Sequence, residues 1–132
     1  MVRFFAITLF TLSVFLLGCS RIYGPVAELN DFVAVKKAIL DEGFKKISAS
    51  PNSQGVDDAQ KIFEEKKGEL AAKKEALDKA PRGLNGDWLT KKYESEKYDS
   101  DTFDSMKKLV ASDPTAIQKL AAYEKAFDAA TR

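Results

Sequence analysis

The sequence predicts an all-α protein, a small bundle of four or five helices that follows an apolar N-terminal segment. Apolar residues recur every three or four positions through most of the chain, which is the spacing of one helix face. No stretch alternates apolar and polar residues over the length of a strand, so no β-strand is predicted. Short stretches that contain Pro, Gly, Ser and Asn separate the periodic segments and indicate turns.

The first element is an apolar run at the N-terminus. Residues 4–17 contain no charged side chain, and Arg3 precedes them. As a helix this run would be about 21 Å long, whereas the hydrocarbon core of a bilayer is about 30 Å thick. The run is therefore short for a transmembrane helix, and it has the length of the apolar region of a secretory signal.

The end of this run resembles the lipobox of bacterial lipoproteins. It reads Leu16-Leu17-Gly18-Cys19, and Cys19 is the only cysteine of the chain. The resemblance covers residues 1–20 and implies that residues 1–18 form a signal peptide that is removed before Cys19. It also implies that Cys19 carries a diacylglyceryl thioether and an acylated amine. Leu17 departs from the family pattern, which more often has Ala or Ser at that position.

Several acyl chains on one residue would hold the protein at a membrane, because a single chain binds only marginally. Ser20 stands where members of the family retained at the inner membrane carry Asp. The resemblance therefore implies a lipid-anchored protein of the bacterial outer membrane that faces the periplasm, or of the cell membrane where the source has a single membrane. Residues 19–24 would form the lipidated N-terminus and a short tether, and residues 25–132 a single helical domain.

The composition of the mature chain limits its function. Removal of residues 1–18 leaves 114 residues, in which twenty basic residues balance twenty acidic ones. This balance gives no electrostatic attraction to nucleic acid, so no nucleic-acid partner is expected. The single cysteine excludes a disulfide within the chain, and helix packing must supply the stability.

The first helix of the domain is predicted to begin at Pro25, or later with Asn30 or Asp31 as its cap, and to end in the turn at residues 48–55. Lys36 and Lys37 interrupt its apolar face, and we expect their stems to lie along the helix edge with the ammonium groups in water. The apolar face consists of Val26, Leu29, Val33, Leu40, Phe44 and Ile47.

The second helix is predicted to begin at Asp57 or Asp58 and to end near Ala80. Several of its apolar residues lie seven positions apart, but the alternate positions of that heptad hold lysines. A helix hairpin packed within the domain is therefore the preferred interpretation, and a coiled coil is the alternative. The residues seven apart are Phe63, Leu70 and Leu77.

The remaining helices are predicted from their capping residues. The Pro- and Gly-containing stretch at residues 80–88 ends the second helix; Asp87 within it would cap a short helix, and Asp101 would cap a second short helix. The last helix begins at Asp113 and Pro114, a capping residue followed by a proline suited to a first turn. Its apolar face consists of Ala116, Leu120, Tyr123 and Phe127.

Few residue types in the chain point to catalysis. The sequence has no histidine, which removes the commonest general base and metal ligand. Residues 99–104 begin like a calcium loop but lack the Gly and the Glu that complete one, and helix capping explains their aspartates better. An enzyme would need carboxylates that converge in a cleft, and no pair is marked as special. No enzyme activity, cofactor or metal site is therefore expected.

Trp88, Tyr93 and Tyr98 form the candidate interaction surface. With Phe103 they are spaced by five residues, which turns a helix by about 140°, so the rings cannot share one face of one helix. The preferred interpretation is that two short helices each bury their own aromatic residues. The alternative is an exposed aromatic patch that contacts a glycan or a partner protein.

These observations predict a membrane-anchored lipoprotein of the bacterial envelope that works by contact. It would serve as an assembly accessory, an inhibitor or exclusion factor, or a scaffold, with the membrane and an envelope protein as its partners. The alternative is a module that binds a lipid or another small apolar molecule between its helices. The predicted lining of that cavity is Phe32, Phe44, Phe63, Met106 and Phe127.

Overall fold

The computed structural model describes residues 2–81 and 86–132, with side chains from residue 26 in the first helix and from residue 87 in the third. The predicted signal peptide, residues 1–18, and the lipidated tether, residues 19–24, lie outside the residues whose side chains are described. Within the described chain, no helix combines the length and the apolar character that crossing a membrane requires.

Four helices and no β-strand make up the described residues, which confirms the predicted all-α bundle. The helices are α1 (Val2–Ala49), α2 (Ser53–Lys79), α3 (Gly86–Leu109) and α4 (Pro114–Thr131).

The start of α2 differs from the sequence prediction. Asn52 caps the helix, and its side chain accepts hydrogen bonds from two backbone N–H groups of the first turn. The helix therefore begins at Ser53 instead of at Asp57 or Asp58. The turn that closes the α1–α2 hairpin is correspondingly short.

Asp113 begins α4 as predicted, and it also holds the start of α2. One carboxylate oxygen accepts hydrogen bonds from the backbone N–H groups of Thr115 and Ala116, at 3.0 and 3.1 Å. The other oxygen accepts from the backbone N–H of Ser53, at 3.0 Å. Pro114 follows at the first helical position. One side chain thus ties the N-termini of two helices together.

The third helix is continuous, so the predicted pair of short helices is wrong. Asp101, expected to cap a second start, lies inside α3 and pairs with Lys97 one turn earlier, at 3.1 Å. Thr102 in the same region donates its hydroxyl hydrogen bond to the backbone carbonyl of Tyr98, at 2.8 Å. The ion pair of Lys97 and Asp101, spaced by one turn, is of the kind that supports a helix through this polar segment.

The helices form a ring in which α1 packs on α2 and α3, and α4 packs on α2. The turn at residues 110–113 joins α3 to α4, yet these two helices contact each other least among the neighbouring pairs. The side of the ring between α3 and α4 is therefore the most open.

The centre of the bundle is an aromatic cluster contributed by α2, α3 and α4. Phe63, Phe103, Tyr123 and Phe127 pack with ring centroids 5.3–6.4 Å apart and tilted or edge-on planes. Phe63 and Leu70 are buried, as the predicted helix hairpin requires. The other fully buried apolar residues include Ile39, Leu40 and Ile47 of α1, and Met106, Val110 and Leu120.

Candidate functional site

A cavity of about 820 Å³ opens at one end of the bundle, and we call it the polar-end cavity. It is lined by side chains within residues 29–36 of α1, residues 74–80 at the end of α2, residues 88–103 of α3 and residues 124–132 at the end of α4. These segments lie at the end of the bundle where residues 29–36 of α1 are found, and Cys19 precedes them in the same helix. The α3 and α4 segments lie at the ends opposite the turn that joins the two helices.

The cavity forms where inward-facing positions hold polar residues instead of apolar ones. Among the described residues, the buried polar side chains are Lys36 of α1 and Ser95 of α3, and both line the cavity. Further along the same face of α3 lie Phe103 and Met106, and Val110 follows directly after the helix; all three are buried in the apolar core. The core is thus apolar at one end and polar at the other.

Lys36 and Asp99 form an ion pair at this polar end. The Lys36 Nζ lies 2.6 Å from the Asp99 Oδ2, and the two side chains expose only 5% and 15% of their surface. Burial raises the pKa of Asp99 above its ordinary value, and the ammonium of Lys36 opposes this shift. The carboxylates of Asp128 and Glu96 add to the rise. Lys36 alone therefore does not compensate for the burial of this carboxylate.

Trp88 lies on the wall of the cavity at the start of α3. It is the only tryptophan of the chain, and it is half-buried. Its indole Nε1 is buried and has no hydrogen-bond partner among the described residues. The ammonium of Lys92 lies 5.4 Å from the centroid of its ring, which is within the range of a cation–π contact.

The rest of the lining combines an apolar part with a charged rim. Four apolar side chains come from α1 and α2, namely Leu29, Phe32, Val33 and Leu77. Opposite charges in the lining are paired one turn apart along α2, along α3 and at the end of α4. These pairs are Lys74 with Asp78, Lys92 with Glu96, and Arg132 with Asp128, at 2.9, 3.9 and 3.8 Å.

The structure separates the three residues of the predicted interaction surface. Trp88 lines the polar-end cavity, whereas Tyr93 exposes 67% of its surface on the outside of α3. Tyr98 is half-buried, and its hydroxyl donates a hydrogen bond to the carboxylate of Asp41 on α1. Burial, together with this hydrogen bond, raises the pKa of Tyr98. The exposed neighbour of Tyr93 is Leu89, one turn earlier, at 57%.

Two further expectations are corrected by the structure. Lys37 is exposed and lies over the ring of Tyr98, at 5.2 Å, but Lys36 is buried instead of lying along the helix edge.

Of the residues predicted to line a cavity, Phe32 does so. The others belong to the packed core or lie against it, namely Phe44, Phe63, Met106 and Phe127.

The aspartates of residues 99–104 have separate partners. Asp99 pairs with Lys36, Asp101 with Lys97, and Asp104 lies 3.7 Å from Lys107. None of these three caps a helix, so the capping prediction is wrong for them. In the part of the chain that the structure describes, no group of three or more acidic or thiol side chains is arranged to hold a metal ion.

Comparison with known proteins gives no relative from which a role can be transferred. No family model matches the chain, and no curated protein or solved structure matches it. The arguments that follow therefore depend on the residues and geometry of this chain.

Proposed function

We propose that this protein is a lipid-anchored, non-catalytic module of the bacterial envelope that works by contact with another envelope protein. Acyl chains on Cys19 would hold it at the outer membrane with the domain facing the periplasm, or at the cell membrane of a source with a single membrane. An assembly accessory, an inhibitor or exclusion factor, and a scaffold are three forms of this proposal.

The observation that supports contact is the outward face near the start of α3. Leu89 and Tyr93 are one helical turn apart, and both expose more than half of their surface. Adjacent positions of this kind on a helix are those by which a helix anchors in a groove of a partner. Covering two large apolar side chains would remove them from water, which favours association.

A photocrosslinking residue tests this surface in intact cells. Placed at position 89 or 93, it should give the same discrete crosslinked protein from both positions. The matched control is position 117, because Ile117 is also an exposed apolar residue, with 44% of its surface accessible, on α4. No product at positions 89 and 93, or the same product from all three positions, would count against the proposal.

The anchor is tested separately through Cys19. Cells fed an alkyne-bearing fatty acid should label the wild-type protein, and a Cys19→Ala variant should carry no label. The wild-type protein should remain with the membrane fraction in high salt, since acyl chains hold by the hydrophobic effect and not by charge. A labelled Cys19→Ala variant, or release of the wild type by salt, would disprove the anchor.

The second candidate function is the binding of a lipid or another small apolar molecule in the envelope. The polar-end cavity supports it, because its volume of about 820 Å³ falls within the range of ligand pockets. The cavity also combines an apolar part with the buried polar side chains of Lys36 and Ser95, and polar groups of this kind fix the orientation of a bound ligand. The two candidates use different surfaces and are compatible in one molecule.

A further inference from the structure

The chemistry of the polar-end cavity defines the kind of molecule that it fits. Its apolar part includes a group on one side of α1 together with Leu77 of α2. Leu29 lies one helical turn before Phe32 and Val33, so the three residues form one apolar patch on the same side of α1. A hydrocarbon chain that packs on these side chains would be removed from water, and no polar group of the protein would lose its hydration.

The charges of the lining are mixed and nearly balanced. A strongly anionic ligand would meet five carboxylates, and a strongly cationic one would meet four basic groups. A head group with one charge of each sign would meet an opposite charge on both sides. The carboxylates are Asp78, Glu96, Asp99, Glu124 and Asp128, and the basic groups are Lys36, Lys74, Lys92 and Arg132.

The buried pair of Lys36 and Asp99 is the centre of this arrangement. Its two charges lie side by side and are largely out of water. The raised pKa of Asp99 indicates that a second cationic partner would further stabilise this carboxylate. The ammonium group of a ligand could pair with the Asp99 carboxylate in this way. The ammonium of Lys36 could pair with an anionic group of the same ligand.

Two uncharged groups add hydrogen-bonding capacity on the α3 wall. The indole N–H of Trp88 has no partner among the described residues. Ser95, one turn before Asp99, is 7% exposed and also lines the cavity. Both can donate to the oxygens of a phosphate, which is an acceptor only.

We propose that the polar-end cavity binds a zwitterionic amphiphile whose head group contains a phosphate and an ammonium. The hydrocarbon chain lies along Leu29, Phe32 and Val33, the phosphate meets Lys36 and Trp88, and the ammonium meets Asp99. This inference rests on the second candidate function and gives it a ligand class. The anchor also keeps the cavity close to such lipids, because ten residues from Cys19 to Leu29 span at most about 35 Å even when extended.

Trp88 provides a direct test, because it is the only tryptophan and lines the cavity. The full chain, kept soluble by a non-ionic amphipathic polymer, is titrated with dodecyl phosphoethanolamine while the tryptophan emission is recorded. The comparison probes are dodecyl phosphate, dodecylamine and dodecyl maltoside, which share the hydrocarbon chain and differ in the head group. The phosphoethanolamine probe should bind at least about tenfold more tightly than each of the other three.

A paired variant assigns the preference to the buried ion pair. Lys36→Met combined with Asp99→Leu removes both charges and leaves no buried charge uncompensated. It should bind all four probes within about threefold of one another. The matched control combines Lys119→Met with Asp57→Leu, which removes another interhelical Lys–Asp pair that does not line the cavity. The control should keep the wild-type preference.

A third variant covers the case in which the paired variant does not fold. Ser95→Phe places a large side chain on the cavity wall and should weaken binding of every probe more than about tenfold. Helix content measured by circular dichroism shows whether each variant is folded.

The outcomes separate this inference from the second candidate function. Equal binding of all four probes to the wild type would overturn the inference and leave an apolar ligand site in place. No binding of any probe would overturn both. Loss of the preference in the Lys119→Met, Asp57→Leu control as well would also overturn the inference, because the effect would not be specific to the cavity.

Discussion

Lys36 of α1 and Asp99 of α3, 63 positions apart in the sequence, form the least exposed of the ion pairs in the described residues, with 2.6 Å between Nζ and Oδ2. The pair joins two helices of the ring at the end where the core is polar. Burying two charges is costly, so we expect the pair to contribute more to the specificity of the helix packing at this end than to its stability. The same pair is the part of the cavity most able to recognise a charged head group.

Removing one member of this pair should destabilise the protein more than removing both. Lys36→Met leaves the Asp99 carboxylate buried without its partner, and Asp99→Leu leaves the Lys36 ammonium buried without its partner. Each single change should lower the free energy of unfolding by about 3–5 kcal/mol, and the double change by clearly less. Urea unfolding of the three variants and the wild type measures the difference as a double-mutant cycle.

An exposed ion pair serves as the control for that cycle. Lys119 and Asp57 also pair between helices, at 2.7 Å, but they expose 37% and 45% of their side chains. Lys119→Met should therefore lower the free energy of unfolding by about 0–1 kcal/mol. A loss at Lys36 that is no larger than the loss at Lys119 would show that the pair at the cavity is effectively solvated.

The helices and the last cap follow from local patterns, whereas the cavity does not. Asp113 before Pro114 predicts the start of α4 because both effects act within one turn. The continuity of α3 does not follow from a local pattern, because an aspartate such as Asp101 is equally suited to capping a helix and to pairing with Lys97 within one. The signal for the cavity was the interruption of an apolar face at Lys36. Its partner lies 63 positions away, and no local pattern identifies it.

Two glycines of α2 should respond in opposite ways to replacement by alanine. A Cβ at Gly55 would lie 1.9 Å from the backbone carbonyl oxygen of Ser50, so the end of α1 would have to move. A Cβ at Gly68 would meet no atom within 4 Å. Gly55→Ala should lower the free energy of unfolding by about 1–3 kcal/mol through overpacking. Gly68→Ala should raise it by up to about 1 kcal/mol through helix propensity.

Thermal and urea unfolding of these two variants measure the contrast. Because the substitution is identical and both sites lie in the same helix, the difference reports the close approach of the α1 end to Gly55. A stabilising Gly55→Ala would mean that the turn between α1 and α2 relaxes without cost.

Two tyrosines should likewise differ when their hydroxyls are removed. The Tyr123 hydroxyl is buried and has no hydrogen-bond partner among the described residues, and burial raises its pKa. The Tyr98 hydroxyl donates to the Asp41 carboxylate. Tyr123→Phe should leave the free energy of unfolding unchanged or raise it by about 1 kcal/mol, because an unsatisfied group is removed. Tyr98→Phe should lower it by about 1 kcal/mol.

Urea unfolding at neutral pH tests both tyrosine variants, since neither hydroxyl ionises there. Each change deletes one oxygen atom and keeps the ring, so packing is nearly constant. A clear loss of stability in Tyr123→Phe would reveal a partner for that hydroxyl, such as a buried water molecule.

Asp113 should make the free energy of unfolding depend on pH in the acid range, and Asp113→Asn should remove this dependence. Backbone N–H groups of Ala116, Ser53 and Thr115 hold the pKa of Asp113 below its ordinary value of 3.8. A group whose pKa is lower in the folded state contributes stability above its unfolded pKa, and this contribution is lost as the pH falls through the folded pKa. The wild type should therefore lose stability from about pH 4 downward through this group.

Asp113→Asn should be less stable than the wild type at neutral pH, and the gap should narrow as the pH falls below 3.8. The amide has one acceptor oxygen, so it can keep the N–H groups of α4 but not also that of Ser53. The measurement is urea unfolding of both proteins from pH 7 to pH 2.

Asn52→Ala is the control, because it removes a cap that does not titrate. Its free energy of unfolding should lie below that of the wild type by an amount that does not change with pH. A gap for Asp113→Asn that stays constant below pH 4 would show that the charge of Asp113 does not hold the two helix starts together.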